Sequence, residues 1–210
     1  MGGMLELLQK SPILYFMIVF QVIFSVCCHE YLHAQMALWQ GDPTAARAGH
    51  LTLNPLRQMG ATSIVICCLI GFAFVSVPVN PALLKRRYSE ALVAFAGPLA
   101  NLLIALLFSF ITALAKVMNC SDSILIFFYY GACLNIVLFL LNMLPFPILD
   151  GGKVFSYILP FPATFNKINP ELKNGLTVFL FFAIFFCFDV IWRIGYFLTN
   201  NLIGLFKYFL

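Results

Sequence analysis

The stretch Ser25–Gln35, SVCCHEYLHAQ, determines how the rest of the chain is interpreted, because it directly follows SPILYFMIVFQVIF, a run suited to lipid. Two of the chain's three histidines, His29 and His33, lie in this stretch together with the carboxylate of Glu30. An ionisable side chain at the centre of a membrane costs on the order of 3 kcal/mol by insertion scales, so it indicates function by default. These side chains are therefore the first candidates for a functional site.

The composition is that of an integral membrane protein. Of the 210 residues, 62% are hydrophobic and 10% are charged, whereas soluble domains carry about 25% charged residues. The first apolar run lacks a signal-peptide cleavage pattern, so we expect a retained span. The net charge of +4 is small, and Lys and Arg lie at the ends of apolar runs, which indicates membrane topology and no nucleic-acid partner. We expect one domain, residues 1–210, in a lipid bilayer.

A helix needs about 20 apolar residues to span a bilayer. Four runs predict such helices, at about residues 12–40, 90–116, 123–142 and 176–192. The tail, residues 193–210, mixes Tyr, Phe, Asn and Lys, so we expect an interfacial helix there. The fold class is therefore an all-α polytopic membrane protein.

The run at residues 61–77 is shorter and contains Thr, Ser and Gly, which predicts a re-entrant element or a short span. If this run returns to its starting side, two basic residues flank one set of helix ends and six flank the other. The positive-inside rule then assigns the second set to the cytoplasm. The bias disappears if the run crosses, because residues 85–87, Lys-Arg-Arg, change sides. The charges therefore favour re-entrance.

Residues 49–55, GHLTLNP, alternate apolar and polar side chains between Gly and Pro. This pattern predicts a short β element after the first helix. An edge strand there could pair with an extended peptide, because its free N–H and C=O groups need partners.

The sequence His29-Glu30-Tyr31-Leu32-His33 has the form H-E-x-x-H on a predicted helix. Histidines four residues apart lie one turn above each other on one face, so both can reach a single zinc ion, and Glu30 can hold a water beside it. The plainer alternative is a histidine pair that hydrogen bonds between helices.

Zinc held by two histidines needs a third protein ligand, and Asp150 is the best placed candidate. Pro145 and Pro147 must end or unwind the preceding helix, and Gly151-Gly152 permit a close turn that directs the carboxylate back into the bundle. The other candidates in or beside apolar segments are Asp189, Glu90 and His50.

Three motifs together resemble the signatures of site-2 proteases, the intramembrane zinc metalloproteases of peptidase family M50. They are H-E-x-x-H at residues 29–33, GPLAN at 97–101 and NMLPFPILDG at 142–151. The segment GDPTAARAGHLTLNPL, residues 41–56, is similar to the compact bacterial branch without PDZ or CBS domains. The likeness extends from about residue 12 to 155.

The resemblance implies a catalytic core made of the first three predicted spans, with the re-entrant and C-terminal helices added to it. It implies that His29, His33 and Asp150 bind one Zn²⁺ per chain and that Glu30 is the general base. The implied substrate is a membrane-anchored protein or peptide, cleaved in or near its transmembrane segment. The implied location is the cell membrane, with the active site towards the cytoplasm.

The same resemblance suggests residues that handle substrate. Asn101 could bind the oxyanion or the substrate backbone, and its alternative role is an interhelical hydrogen bond. Gly97 and Pro98 would open the helix pair so that substrate can enter. Asn142 is a further candidate for substrate binding, although it shares a helix face with Asn135, and packing is the plainer role for both.

The chain departs from the branch's pattern at two positions. The branch has an Arg where His50 stands and a His where Gln58 stands, so the roles of these two residues stay open. The zinc set itself is complete.

Two other functions are compatible with a membrane-embedded metal site. A divalent-metal carrier would use the same residues as a transit site, but it should show inverted repeats with paired broken helices, and none is visible. A non-catalytic scaffold that binds membrane segments would not need Glu30, because a structural zinc site requires no base. An intramembrane zinc endopeptidase is therefore the expected function.

Overall fold

The computed structural model describes residues 4–71, 73, 75–146, 148–156 and 170–210, with side chains in the last range mainly from residue 188 onwards. The N-terminal helices are α1 (Met4–Lys10), α2 (Pro12–Trp39), α3 (Thr44–Arg47), α4 (Pro55–Gln58) and α5 (Gly60–Ile70). A short 3-10 turn, Pro81–Leu83, precedes the remaining helices. These are α6 (Ser89–Val117), α7 (Asp122–Asn142), α8 (Asp150–Phe155) and α9 (Pro170–Phe209).

Three described helices, α2, α6 and α7, are long and apolar enough to cross a membrane. They have 28, 29 and 21 residues, which at the rise of an α-helix gives about 42, 44 and 32 Å. The hydrocarbon core of a bilayer is about 30 Å thick. These helices match the three predicted core helices.

The central helix is α6, which packs against α2, α7, α8 and α9. Its buried positions include many small side chains, which allow the neighbouring helices to approach closely. Among them are Ala94, Ala96, Ala100 and Ala105.

The predicted β element at residues 49–55 is wrong, because the structure describes this whole stretch and none of it forms a strand. The side chain of Gln58 takes the place of a strand partner. Its Nε2 donates to the backbone oxygens of His50, at 2.7 Å, and Thr52, at 2.8 Å. Asn54 caps the first turn of α4. The alternating pattern therefore reflects a capped loop.

The segment between α2 and α6 starts at the C-terminal end of α2 and comes back to that same end before α6 begins. Helix α5 has 11 residues and is about 16 Å long, and its far end lies beside the start of α2, where Tyr15 Oη donates to Cys68 O at 2.8 Å. The chain is back at the other end of α2 by Asn80, whose N–H donates to the carboxylate of Asp42 at 2.6 Å. Helix α6 begins close by, because Ser89 Oγ donates to the side chain of Gln40.

Helix α9 continues without a break through the predicted last span, 176–192, and the predicted tail, 193–210. The expected boundary at 192 is therefore absent. The physical reason is a buried stripe at four-residue spacing on one face of α9, formed by Ile191, Gly195, Thr199 and Ile203. This stripe holds the tail against α6 and α7. Whether residues 176–192 span a membrane stays a prediction, since most of their side chains lie outside the described residues.

Candidate metal centre

Two histidines of α2 and the first residue of α8 meet at one point. His29 Nε2 and His33 Nε2 are 2.9 Å apart, and Asp150 Oδ2 lies 3.1 Å from the first and 3.2 Å from the second. In the part of the chain that the structure describes, these residues are the only three of suitable type that could hold a metal ion together. The other proposed third ligands, Asp189, Glu90 and His50, do not join this group.

A close turn after α7 brings Asp150 to the histidines. A Cβ atom on Gly151 would lie 2.3 Å from Leu144 O and 2.6 Å from Met143 O, so any side chain there would push α8 away from the end of α7. Glycine at this position is therefore needed for the close turn, as the sequence predicts. Pro147 lies outside the described residues.

The tautomer of His33 follows from its partner. Its Nδ1 lies 2.7 Å from the backbone oxygen of Val93, on α6. A carbonyl oxygen only accepts hydrogen bonds, so Nδ1 carries the proton, and Nε2 of the neutral ring presents a lone pair. Metal-binding histidines in proteins are usually held in this way through their other ring nitrogen.

His29 is held by a side chain instead. Its Nδ1 lies 2.7 Å from Oδ1 of Asn101, and Nδ2 of Asn101 donates to Oδ1 of Asn135 at 3.0 Å. The amide oxygen of Asn101 therefore accepts from Nδ1–H, and Nε2 of His29 also presents a lone pair. Asn101 is fully buried and has partners at both ends of its amide. This arrangement favours a positioning role over the predicted contact with an oxyanion or substrate.

With both rings neutral, the site thus brings three acceptor atoms together. Two nitrogen lone pairs and a carboxylate oxygen within 3.2 Å of one another repel unless a proton or a metal ion lies between them. Two imidazoles and one carboxylate are a common zinc ligand set that leaves a fourth position open.

Gly97 leaves the space that such an ion requires. A Cβ atom on Gly97 would lie 2.3 Å from Nε2 of His33 and 2.5 Å from Nε2 of His29. Bonds from zinc to histidine nitrogen are about 2.0–2.1 Å long. The missing side chain therefore lies where an ion bound to both rings would fit, and the residues present suit zinc. Gly97 brings α6 close to the histidines here, and whether it also opens the helix pair for substrate stays a prediction.

Glu30 lies beside the ligands but is not one of them. Its side chain is buried, with 7% exposed, and no hydrogen bond or ion pair joins it to any described residue. Of the other predicted residues, Pro98 is buried within α6, and Asn142 is half-buried and donates from Nδ2 to Leu138 O at 3.0 Å.

Sequence reasoning missed the supports of the site. It assigned Asn135 to packing, and it identified neither Ser25, which accepts from Nδ2 of Asn135 at 2.9 Å, nor the carbonyl of Val93. One signal was present in the sequence. Ser25 lies four residues before His29, and His33 lies four after it, so all three share a face of α2.

A model of peptidase family M50 matches residues 113–188 of the chain. The candidate zinc metalloprotease YwhC of Bacillus subtilis (strain 168) is 34% identical over 171 residues, which cover 78% of this chain and 78% of that protein. The candidate zinc metalloprotease Rip2 of Mycolicibacterium smegmatis is 30% identical over 165 residues, 73% of this chain and 58% of that protein. Rip2 of Mycobacterium tuberculosis (strain Erdman) is 30% identical over 201 residues, 90% of this chain and 70% of that protein. No solved structure matches the chain.

Proposed function

Because the chain belongs to peptidase family M50 and is a site-2 protease-like metalloprotease with zinc as its cofactor, we propose that it cleaves peptide bonds within the membrane. Its substrates in this proposal are membrane-anchored proteins, cut in or near a transmembrane segment. The observation that carries the proposal is the convergence of ligand atoms from His29, His33 and Asp150 on one point among helices that are apolar enough to span a bilayer.

The proposed chemistry is hydrolysis with Glu30 as general base. When bound, zinc polarises the scissile carbonyl and lowers the pKa of water towards about 7. His29, His33 and Asp150 would hold the ion. Glu30 accepts a proton from the attacking water, and it returns this proton to the amine as the C–N bond breaks. This role is supported by its place directly after His29 in a buried part of α2, where no described residue hydrogen bonds to its carboxylate.

The proposed topology places the active site towards the cytoplasm in a multi-pass protein. The site lies in the second half of α2, and the chain is anchored again at that end of α2 just before α6. There Lys85 N–H donates to Gln40 O at 3.0 Å, and Arg86 and Arg87 follow directly. Under the positive-inside rule this cluster supports a cytoplasmic position for the active-site end, with residues 61–77 re-entrant.

The proposed substrate must unwind before it is cut. A helix hides its backbone in internal hydrogen bonds, so its carbonyls are not accessible to water at a buried metal. This favours substrates with weak helices that contain Gly or Pro. Asn142, half-buried at the end of α7, remains our candidate for contacting the exposed backbone.

The direct test compares the wild type with Glu30→Gln, purified in detergent with zinc and incubated with a panel of transmembrane peptides. We expect Glu30→Gln to retain zinc but to cleave about 10²- to 10⁴-fold more slowly, because general bases contribute on that order. Equal cleavage by both proteins would contradict Glu30 as the base. A wild type that binds zinc and cleaves no peptide of the panel would favour the scaffold function.

A further inference from the structure

We propose that Asn135 is a positioning residue that holds His29 in its metal-binding tautomer through Asn101. A chain of hydrogen bonds supports this proposal. Asn135 Nδ2 donates to the backbone oxygen of Gly131 and to Ser25 Oγ, both at 2.9 Å. Asn101 Nδ2 donates to Asn135 Oδ1 at 3.0 Å, and His29 Nδ1 lies 2.7 Å from Asn101 Oδ1. We call these two asparagines, Asn101 and Asn135, the amide relay.

The direction of the amide relay is fixed at its far end. The carbonyl of Gly131 can only accept, so the NH₂ group of Asn135 must face it, and the oxygen of Asn135 must face Asn101. A flipped Asn101 would place two amide oxygens against each other. The NH₂ group of Asn101 therefore faces Asn135, and its oxygen faces His29. His29 then carries its proton on Nδ1 and directs the lone pair of Nε2 at the metal position.

Burial makes this direction difficult to reverse. Ser25, Asn101 and Asn135 each have 0% of their surface exposed, so water cannot solvate an amide that loses its partner. Hydrogen bonds are stronger in such low-dielectric surroundings, and an unmatched polar group is correspondingly costly. His33 needs no comparable support, because the backbone oxygen of Val93 fixes its tautomer directly.

A structural role for Asn135 makes a different prediction. If Asn135 only ties α2, α6 and α7 together, its loss should weaken the site whatever residue occupies position 101. If the amide relay sets the tautomer of His29, the effect should depend on residue 101. Asn101→Asp supplies acceptor atoms alone, so His29 must donate from Nδ1 regardless of residue 135.

The experiment is therefore a double-mutant cycle with zinc affinity, measured by competition with a chelator, as its readout. With Asn101 present, Asn135→Leu frees the amide to turn its NH₂ group towards His29, and we expect zinc affinity to fall about 10- to 100-fold, as for other outer partners of metal ligands. In the Asn101→Asp background, Oδ1 of Asn135 faces the new carboxylate and repels it, so Asn135→Leu removes a repulsive contact. We expect zinc affinity there to stay the same or to rise.

A fall of similar size in both backgrounds would overturn the proposal. The matched control is Thr112→Val, which removes the side-chain hydrogen bond of another fully buried residue of α6, from Thr112 Oγ1 to Phe108 O at 2.7 Å. This control should leave zinc affinity unchanged.

A measurement on the unaltered chain covers the case in which Asn135→Leu does not fold. The chain has three histidines, so ¹⁵N NMR of metal-free, histidine-labelled protein gives three assignable rings, with His29→Gln identifying the ring of interest. At a pH at which the ¹⁵N shifts show all three rings to be neutral, we expect His29 to carry its proton on Nδ1. A proton on Nε2 would overturn the proposal. The inference rests on the proposed zinc site and not on cleavage, so failure of the Glu30→Gln test would leave these readouts intact.

Discussion

Replacing Gly97 with alanine places a methyl carbon 2.3 Å from Nε2 of His33 and 2.5 Å from Nε2 of His29. Real Cβ atoms essentially never approach other heavy atoms closer than 3.0 Å. The nearer ring, or α6 itself, must therefore move by the difference between 3.0 and 2.3 Å, about 0.7 Å. Metal sites tolerate deviations of only about 0.2 Å in ligand distance. Gly97→Ala should therefore displace at least one ligand or occupy the space of the ion.

The expected loss of zinc affinity is at least about 100-fold, since disturbing only an outer partner of a ligand already costs about 10- to 100-fold. This corresponds to about 2.7 kcal/mol. The fold itself should not suffer from helix propensity, because alanine is favoured over glycine in a helix interior by about 1 kcal/mol. Loss of zinc without loss of the folded protein is thus the signature expected for Gly97→Ala.

The assay is zinc content by mass spectrometry, together with chelator competition, on monodisperse protein in detergent. Two glycines of α9 provide matched controls. Gly204→Ala meets no atom within 4 Å, whereas Gly195→Ala meets Val137 Cγ2 at 2.6 Å. Both controls should retain zinc, although Gly195→Ala should melt at a lower temperature. Wild-type zinc affinity in Gly97→Ala, or an equal loss in Gly195→Ala, would refute the reasoning.

Two further predictions concern the segments that frame the site. Gly151→Ala should lower zinc affinity and thermal stability together, because its methyl carbon would lie 2.3 Å from Leu144 O, a backbone atom that cannot rotate away; unchanged zinc affinity would contradict this. Asp42→Asn should destabilise the protein by about 2 kcal/mol, because it loses charge-assisted hydrogen bonds from Asn80 N–H and from Thr44. Burial opposes ionisation of Asp42, but these hydrogen bonds hold its pKa below the usual range. The stabilisation by ionised Asp42 should be fully present above the pKa of about 3.9 that this carboxyl has in the unfolded chain. It should be lost as the pH falls through the lower pKa of the folded protein. Melting temperatures of the wild type and Asp42→Asn should therefore converge from neutral to acidic pH.

The long apolar helices and the meeting of His29, His33 and Asp150 were predictable from the sequence, because both depend on local patterns. Long apolar runs specify α2, α6 and α7, and four-residue spacing places His29 and His33 on one face. Prolines and paired glycines after α7 indicated where the chain could turn and direct a third side chain back towards the histidines. The misread elements depend on partners elsewhere. The alternation at residues 49–55 arises because Gln58 binds the loop's carbonyls, and α9 continues past 192 because its buried stripe packs on other helices.

The roles that we propose for Asn101 and Gly97 were beyond sequence reasoning for a related reason. An amide can donate or accept, and only its neighbours decide which end faces His29. The neighbour that orients the amide of Asn101 is Asn135, which lies 34 residues later in the chain. The function of Gly97 lies in an absent side chain, which becomes visible only when the histidines opposite it are located.

The most direct test of the central claim is X-ray absorption at the zinc edge on protein loaded with one equivalent of zinc. We predict two imidazole nitrogens at about 2.0–2.1 Å, carboxylate oxygen in the same shell and no sulfur, with one of the two imidazole nitrogens lost in His33→Ala and the zinc affinity lost in Asp150→Ala. The chain has seven cysteines, and Cys28 directly precedes His29. A zinc–sulfur distance of about 2.3 Å, or a spectrum unchanged by both substitutions, would contradict a metal site made of His29, His33 and Asp150.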